Sequence, residues 1–515
     1  MHHPLSGVPP SVQADQVVRM GTAQGRWVLA ATILASGMAM LDGTVVNVAL
    51  RAIGADLGAD LADLQWVVNA YMLTLSSLIL VAGSLGDLFG RRRVFLLGVV
   101  WFAAASVLCG LAQDPLLLIV ARALQGVGGA LLTPGSLAIL QASFAPGERA
   151  RAIGAWSGLG GIAAAIGPFV GGWLVQDASW RWVFLLNVPL ALAVVAISLR
   201  YVSESSDTSV RGQRLDVTGA ALGALGLAGI TYALIEAESG DPVAVWVTGA
   251  AGALALGAFA VHQRLARAPM VPPSLFATRT FTASNVLTLV VYAALGAVAF
   301  FVVLQLQVVA GYTPLQAGMA LLPITILLLL FSARSGALAT RIGPRPQMTL
   351  GPIVCALGVL LLLGVDGDSS YVVGVMPGVT VFSVGLTLLV APLTATVLAA
   401  APDHQAGVAS GVNNAIARTG SLLAVAALPM AVGLGGEDYN DPAAFGDGYR
   451  MAMVACAVLL VLGGLAALVG LERTDRETLA AEQEEAGAPE PSGPVPVHDY
   501  PQCPVRTGSS PAARR

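Results

Sequence analysis

Residues 83–98 read GSLGDLFGRRRVFLLG, and residues 336–351 read GALATRIGPRPQMTLG. At an offset of 253 positions the two segments share glycine, leucine or arginine at six positions. The same offset aligns a later stretch, with Gly154, Ser157, Gly158 and Gly167 matching Gly407, Ser410, Gly411 and Gly420. Because two separated stretches agree on one offset, we infer that the chain contains an internal duplication.

The composition predicts a membrane protein. The 515 residues are 56% hydrophobic and 11% charged, with a mean hydropathy of +0.77, whereas soluble domains carry about 25% charged residues. Apolar runs of about 20 residues, enough to cross the bilayer as a helix, recur from end to end. We predict fourteen helical spans, with approximate limits 27–50, 64–85, 94–112, 115–140, 152–175, 180–200, 215–235, 243–263, 281–310, 314–334, 347–365, 370–400, 407–433 and 449–471.

The placement of arginine, which supplies all 26 basic residues, predicts the orientation. Connections after odd-numbered spans hold only Arg51, Arg181 and Arg450. Connections after spans 2, 4, 6, 8 and 10 hold Arg91, Arg92, Arg93, Arg149, Arg151, Arg200, Arg211, Arg214, Arg264, Arg267, Arg279, Arg334, Arg341 and Arg345. Because positively charged connections stay in the cytoplasm, we expect both termini there, in a multi-pass protein of the plasma (inner) membrane.

The duplication predicts an all-α integral membrane fold of two six-helix bundles. Both loop copies follow an even-numbered span, so the bundles would be related by a pseudo-two-fold axis along the membrane normal. Spans 7 and 8 match neither half and would lie between them. The expected domains are a cytoplasmic tail (1–26), an N-terminal bundle (27–201), a linker with spans 7 and 8 (202–272), a C-terminal bundle (273–471) and a disordered cytoplasmic tail (472–515).

Asp42 lies in LDGTVVNVAL (41–50) and is the only acid deep inside a predicted span. A charge at the bilayer centre costs on the order of 2.5–3.5 kcal/mol on insertion scales, so Asp42 should face the bundle interior or a wet cavity. We interpret it as a carboxylate that exchanges a proton, a cation or both; a side chain that only bonds a neighbouring helix is the alternative.

Arg122 and Arg418 are the only arginines deep in the predicted spans. For Arg122, a structural ion pair or carbonyl clamp and a functional role both stay open. Arg418 is expected to extend towards the cytoplasmic end of its span, as long basic side chains do in membranes.

The loop between spans 2 and 3 combines glycine with charge. Gly83 and Gly90 permit close helix approach and a tight turn. Asp87 is placed to pair with an arginine such as Arg91 or Arg92, or with a helix N-terminus across the bundle. A topological anchor is the alternative, but it leaves the glycine spacing and its repeat unexplained.

GSLGDLFGRRR closely resembles the loop signature of the major facilitator superfamily, which works there as a gating latch on the cytoplasmic face. LIVARALQGVGGALLTP (118–134) resembles the fourth-helix motif, in which Arg122 would be linked to proton transfer. LDGTVVNVAL and WRWVFLLNVP (180–189) resemble the fourteen-helix drug:proton antiporters. The second loop copy has Thr340 in place of Asp87, so any charge latch there would be one-sided.

GLGGIAAAIGPFVGGWL (158–174) resembles the fifth-helix motif typical of antiporters in this superfamily, carried by Gly167, Pro168, Gly171 and Gly172. The small-xxx-small spacing by itself indicates close helix packing. The resemblance implies in addition that this helix packs where the two halves meet and restricts a proton leak.

Six further residues are candidates to line a cavity for an aromatic or cationic guest. Interface belts and lipid-facing positions are the alternative for each one. The candidates are Trp66, Asn69, Tyr71, Tyr292, Gln305 and Gln307.

Together these features predict a proton-coupled antiporter that exports lipophilic or cationic drugs and similar small molecules. The alternative is a facilitator or a lipid or metabolite exporter of the same fold. An enzyme is disfavoured, because the five histidines lie in termini, at a span end or in a loop, and no GxxxxGK[ST] nucleotide motif is present. We expect no cofactor and no metal; the partners would be small molecules, protons and lipid, without nucleic acid, and the protein would be a monomer.

Overall fold

The structure is a computed structural model in which residues 18–206, 215–237, 240–402, 405–436 and 438–472 are described. Most of the two predicted tails, 1–17 and 473–515, lies outside the described residues, as does part of the predicted linker. Almost all of the described chain is helical, and its one β feature is an isolated bridge between Val18 and Phe144.

Seven helices precede the predicted linker. Asp114 begins α4 by accepting the Leu117 N–H at 2.9 Å, and Asp60 and Asp63 begin α2 with a reciprocal capping box. The bounds are α1 Ala23–Leu57, α2 Leu61–Phe89, α3 Arg91–Gly110, α4 Pro115–Ser143, α5 Pro146–Asp177, α6 Arg181–Leu185 and α7 Asn187–Tyr201.

Nine further α-helices follow in the described part of the chain. Their bounds are α8 Val217–Ile235, α9 Pro242–Leu265, α10 Arg279–Val308, α11 Pro314–Ala320, α12 Leu322–Ile342, α13 Pro344–Leu361, α14 Met376–Ala399, α15 Ala406–Ala431 and α16 Pro442–Gly470. Asp216 caps α8 and ties it to α9, because its carboxylate accepts a hydrogen bond from Gln263 at 2.7 Å and contacts His262 at 2.7 Å.

Twelve helical stretches of the described chain are long and apolar enough to cross a membrane, with α6–α7 and α11–α12 each counted as one stretch. The helices α5 and α15, of 32 and 26 residues, are long enough but do not belong to this group. Asn413, Asn414 and Arg418 lower the hydropathy of α15. The structure therefore supplies twelve candidate spans, fewer than the fourteen predicted.

Several helices extend beyond the predicted spans. Span 14 was expected to begin at residue 449, but α16 begins at Pro442, where the Asp441 carboxylate accepts the Ala443 N–H at 2.9 Å. Similarly, α12 continues to Ile342 past the predicted end at 334. Hydropathy marks where apolar sequence ends, whereas capping and backbone hydrogen bonds carry a helix on into polar surroundings.

Successive long helices run in opposite directions, so their ends form two faces. We call arginine-rich the face with the start of α1 and the α2–α3 and α4–α5 connections, and arginine-poor the face with the α1–α2 and α15–α16 connections. In the first part of the chain, α1 packs against α4, α5 and α7, and α4 against α2 and α3. In the last part, α10 packs against α15 and α16, and α14 against α12 and α13.

Three seams join the first group of helices to the last: α2 against α15, α5 against α11 and α12, and α1 against α10. The α8–α9 hairpin touches both groups through α8, which packs against α2 and α15, whereas α9 lies mainly against α8. Near the arginine-poor face, hydrogen bonds connect the first group of helices to the last. They run from Gln65 Nε2 to Val425 O at 2.7 Å, from Tyr439 Oη to Ala59 O at 2.7 Å, from Gln307 Nε2 to Val48 O at 3.1 Å, and from Arg51 to Gln307 O.

Candidate functional site

Asp42 forms an ion pair with Arg122 in the interior of the first group of helices. Arg122 Nη1 donates to Asp42 Oδ2 at 2.5 Å, and the two side chains are 1% and 0% exposed. Among the described residues, Asp42 is the one acidic residue that is completely buried. The pair joins α1 to α4 far from either helix end, and the predicted interior position of Asp42 is what the structure shows.

Three polar side chains complete the coordination of the pair. Gln125 Nε2 donates to the free carboxylate oxygen, Asp42 Oδ1, at 2.7 Å, and to Ser106 Oγ at 2.9 Å. Asn187 Nδ2 donates to the same Asp42 oxygen at 3.3 Å. Four helices, α1, α3, α4 and α7, therefore contribute to one buried polar cluster.

Arg122 has further partners that do not belong to α1. Its Nε donates to Val67 O at 3.0 Å, and Nη1 also donates to Gln125 Oε1 at 2.7 Å. The guanidinium carbon lies 4.3 Å from the centre of the Tyr71 ring, within cation–π range. Arg122 thus makes both of the structural contacts considered from the sequence, the ion pair and the carbonyl clamp, and its functional role stays a prediction.

The loop between α2 and α3 turns at Gly90, whose φ of +106° is a conformation that favours glycine. Asp87 Oδ1 accepts from Arg91 Nε at 2.8 Å, one helical turn later, with side chains 37% and 20% exposed. Gly83 lies in the last part of α2, where an added Cβ would lie 3.8 Å from Pro134 Cβ of α4.

Glu204, just after α7, completes this loop. Its Oε1 accepts the Arg92 N–H at 3.0 Å, at the N-terminus of α3, where a negative charge is favourable. Arg93 Nε lies 3.6 Å from Glu204 Oε2. Sequence reasoning missed Glu204, since only proximity in the fold links it to the loop 112 residues earlier.

The glycines of the fifth-helix motif place α5 between α1 and α11. A Cβ on Gly171 would lie 2.6 Å from Val45 Cγ1 of α1, and one on Gly167 would clash with Thr44. A Cβ on Gly172 would lie 2.6 Å from Leu315 Cα of α11. The Pro168 carbonyl sits against Gly318 of α11. The motif thus lies on one of the seams between the two groups of helices.

The six cavity candidates separate into different places. Trp66 faces α8, where its Nε1 donates to Glu236 at 3.1 Å. Gln305 donates to Val365 O at 2.8 Å, and it lies with Gln307 near the arginine-poor end of α10.

The other three candidates, Asn69, Tyr71 and Tyr292, lie in the interior. Tyr71 is completely buried and packs on Arg122. Asn69 is also completely buried, and its amide has no hydrogen-bond partner in the described part of the chain. Tyr292 is half-buried in α10, and its backbone carbonyl accepts a hydrogen bond from Ser421 of α15 at 2.8 Å.

Arg418 does not follow the expectation of a side chain that reaches the arginine-rich face. Its Nε is buried and has no hydrogen-bond partner in the described part of the chain. The seam between α2, α10 and α15 holds this side chain in the interior, a consequence of tertiary packing that spacing along one helix does not reveal.

Membrane-length helices around a buried ion pair define a membrane transport protein. A family model described as the Major Facilitator Superfamily matches residues 32–425. The chain belongs to this superfamily, and the resemblance seen in its motifs is confirmed. Members of the family are transporters, which also confirms the expectation that the chain is not an enzyme.

Curated relatives include antibiotic resistance and export proteins. The chain is 34% identical to the puromycin resistance protein pur8 of Streptomyces alboniger, over 95% of this chain and 99% of that protein. It is 36% identical to the probable actinorhodin transporter of Streptomyces coelicolor, over 79% and 74%. It is 34% identical to the multidrug resistance protein Stp of Mycobacterium tuberculosis, over 77% and 74%.

Solved structures share the fold at low sequence identity. A bacterial homologue of the human lysosomal transporter Spinster, in an inward-facing and unoccupied conformation, matches with a TM-score of 0.62 and 17% identity, over 90% of this chain and 99% of that chain. A D-xylose–proton symporter matches with a TM-score of 0.63 and 14% identity, over 88% and 99%.

Proposed function

We propose that the protein is a proton-coupled antiporter that exports lipophilic small molecules from the cytoplasm. Its relatives with names that denote resistance, export and multidrug resistance support the export direction. We further propose that α5 and α15 cross the membrane with the twelve candidate spans. This gives fourteen spans, in two six-helix bundles with α8 and α9 inserted between them, and both termini in the cytoplasm.

The observation that carries this proposal is the buried pair of Asp42 and Arg122. A buried ion pair of this kind adds little to the free energy of unfolding, since the cost of desolvating the two charges offsets most of their attraction. Ionisable residues inside the membrane are rare, and where they occur they usually serve the function of the protein. Asp42 is the group that can take up a proton, because the guanidinium of Arg122 stays protonated in proteins.

Protonation of Asp42 would weaken the tie between α1 and α4. A neutral carboxyl loses the charge-assisted bond to Arg122, which is about twice as strong as a neutral hydrogen bond. Arg122 would not be left without partners, because Val67 O, Gln125 Oε1 and the Tyr71 ring all belong to α2 and α4. The proton thus loosens the hold of α4 on α1 while the arginine stays in place.

Helix α1 is also part of the proposed gate. α1 meets α10 near the arginine-poor face, where Gln307 donates to Val48 O and Arg51 donates to Gln307 O. In the proposed cycle these contacts, which keep the arginine-poor face closed here, open when Asp42 is protonated. Substrate would leave to that face, and the proton would be released to the cytoplasm as the face closes again.

The Asp87–Arg91 pair and the α5 glycines have roles in this cycle too. Asp87 bonds within its own loop in the present structure, and we propose that its contacts change as the arginine-rich face closes. The tight α1–α5–α11 seam would keep water, and hence protons, from crossing between the groups of helices. The membrane potential supplies about 2.3 kcal/mol per charge per 100 mV to drive such exchange.

The test is transport in proteoliposomes of the purified full-length protein. Puromycin, ethidium and N-phenyl-1-naphthylamine are offered with and without an imposed proton gradient, and internal pH is followed with a fluorescent dye. We expect uphill movement of at least one compound that requires the gradient and is accompanied by proton movement in the opposite direction. Movement that is only downhill and ignores the gradient would indicate a facilitator and refute the antiporter.

A further inference from the structure

A second charged residue at membrane depth has no counter-ion. Arg418 lies near the middle of α15, and among the described residues it makes no hydrogen bond or ion pair. Its Nε is inaccessible to solvent, although the residue as a whole is half-buried. Burying an ionised group without a partner costs free energy, and arginine cannot avoid this cost by becoming neutral, because its guanidinium stays protonated in proteins.

Neighbouring residues of α15 show where Arg418 points. Gly411, two turns earlier on the same helix face, approaches α2 so closely that an added Cβ would lie 2.8 Å from Leu80 Cδ2. Ser421, one turn later, donates to Tyr292 O of α10 at 2.8 Å. Arg418 therefore faces the seam of α2, α10 and α15, between the two groups of helices and not towards lipid.

Other polar groups of this seam also lack partners. Asn69 lies on the α2 face that carries Gln65, one turn earlier, and Gln65 bonds Val425 of α15. Because α2 and α15 are antiparallel, Asn69 lies about one turn, ~5 Å along the axis, from the level of Arg418. Both polar atoms of its amide are buried and unpartnered, and the Tyr292 hydroxyl has no hydrogen-bond partner among the described residues.

The charges in the interior favour an anion. Asp42 and Arg122 neutralise each other at 2.5 Å, which leaves the guanidinium of Arg418 as an uncompensated positive charge. When Asp42 takes up a proton, the interior becomes more positive still. A cationic guest would meet repulsion in both states, whereas a carboxylate or sulfonate would meet a planar donor suited to its oxygens.

We infer that Arg418, with Asn69 and Tyr292, forms a subsite for the anionic group of a lipophilic organic acid. The guanidinium would hold the carboxylate or sulfonate, and the amide and phenol of its neighbours would donate further hydrogen bonds. The assignment of this ligand as an exported substrate rests on the proposed function. It departs from the cationic guest that Asp42 alone suggested in the sequence.

The experiment measures binding of two probes that share a ring system and differ in charge. 1-Anilinonaphthalene-8-sulfonate is the anion, and N-phenyl-1-naphthylamine lacks the sulfonate. Each is equilibrated by dialysis with full-length protein in nanodiscs, and empty nanodiscs give the blank. The variants are Arg418→Gln and Arg418→Lys, with Arg334→Gln as the control, because Arg334 is exposed and bonds only Leu330 O of its own helix.

We expect Arg418→Gln to weaken binding of the sulfonate by about tenfold or more, the scale of a hydrogen bond to a charged group. The neutral probe should bind the variant as it binds the wild type. Arg418→Lys should retain part of the affinity, and Arg334→Gln should retain all of it. Equal loss for both probes, or unchanged sulfonate binding, would overturn the subsite.

A competition with the wild type alone keeps the inference falsifiable if Arg418→Gln does not fold. 1-Naphthoate should displace the bound sulfonate, and tetraphenylphosphonium should not; equal displacement by the two would overturn the subsite. Binding at equilibrium requires no proton gradient. If antiport fails while binding of the sulfonate still depends on Arg418, the proposed function is refuted and the subsite is not. If antiport occurs but binding of the sulfonate does not depend on Arg418, the subsite alone is refuted.

Discussion

Asp42 and Arg122 are 80 residues apart in the sequence, and their side chains meet at 2.5 Å in a part of the protein that excludes water. The other oxygen of the Asp42 carboxylate accepts from two amides, those of Gln125 and Asn187. In the proposed function the carboxylate is the group that binds a proton, because a guanidinium stays protonated in proteins. A single proton would then change the tie between α1 and α4.

A double-mutant cycle on this pair should show its electrostatic character. Asp42→Asn leaves the fixed charge of Arg122 buried without a counter-ion, and we expect a loss of about 3 kcal/mol in the free energy of unfolding. This is the low end for such a change, because Arg122 keeps its contacts with Val67, Gln125 and Tyr71. Asp42→Asn combined with Arg122→Gln should recover most of the loss, measured as thermal unfolding in detergent.

The control for this cycle is an exposed pair. Arg450 Nη1 lies 2.9 Å from Asp447 Oδ1, with side chains 52% and 76% exposed. Neutralising either partner should change stability by less than about 1 kcal/mol. If Asp42→Asn is as mild as Asp447→Asn, the buried pair is not held by charge.

Membrane crossing by α5 and α15 is tested with cysteines introduced at both ends of each helix. The background replaces Cys503, since Cys109, Cys355 and Cys456 are buried. An impermeant thiol reagent applied to intact cells should label Asp177→Cys and Asn440→Cys, and should leave Gly147→Cys and Pro402→Cys unlabelled; Asn440 is exposed in the connection that follows α15. Labelling of Gly147→Cys and Asp177→Cys from the same side would remove α5 from the spans.

The sequence predicts most of the helices because hydropathy acts locally; the orientation expected from arginine placement stays a prediction. The spans match the helices closely in the middle of the chain, as with α4, which begins at Pro115 as predicted. They fail at ends such as Pro442, where a capping carboxylate and not hydropathy begins the helix. The polar α15 shows that a helix can be long without the composition typical of a span.

The site was only partly predictable. Asp42 and Arg122 stand out in the sequence because a charge within an apolar run costs free energy, so a specific role is expected for it. Gln125 could have been found, since it lies one turn after Arg122 on the same face. The partner role of Asn187 and the isolation of Arg418 depend on which helices pack together, and no pattern within one helix contains that information.

The seam between α5 and α11 should be sensitive to a single methyl group. In Gly172→Ala the new Cβ would lie 2.6 Å from Leu315 Cα and 2.7 Å from Pro314 O, and backbone atoms cannot turn aside. We expect a loss of about 1–3 kcal/mol in stability, together with a proton leak in proteoliposomes without substrate. Gly257→Ala in α9, where a Cβ meets nothing within 4 Å, should be neutral or slightly stabilising; equal behaviour of the two variants would contradict the tight seam.

Asp87→Asn should reduce transport while the protein remains in the membrane at its normal level. Asp87 is partly exposed and bonds only Arg91 of its own loop in this structure, so its removal costs little stability here. Its proposed role lies in the opposite gate state. Initial rates in vesicles, normalised to protein level, give the measurement; full transport by Asp87→Asn would rule out the latch.

Proton movement by Asp42→Asn tests the central claim most directly. Wild type and variant are reconstituted at equal density, with Asp42→Glu as a variant that still titrates, and folding is checked by thermal unfolding. Internal pH is recorded as the compound that the wild type exports fastest is added. We predict substrate-dependent proton movement with Asp or Glu at this position and none with Asn, together with loss of uphill export. Wild-type proton movement and uphill export by Asp42→Asn would contradict the account and leave Asp42 with a structural role.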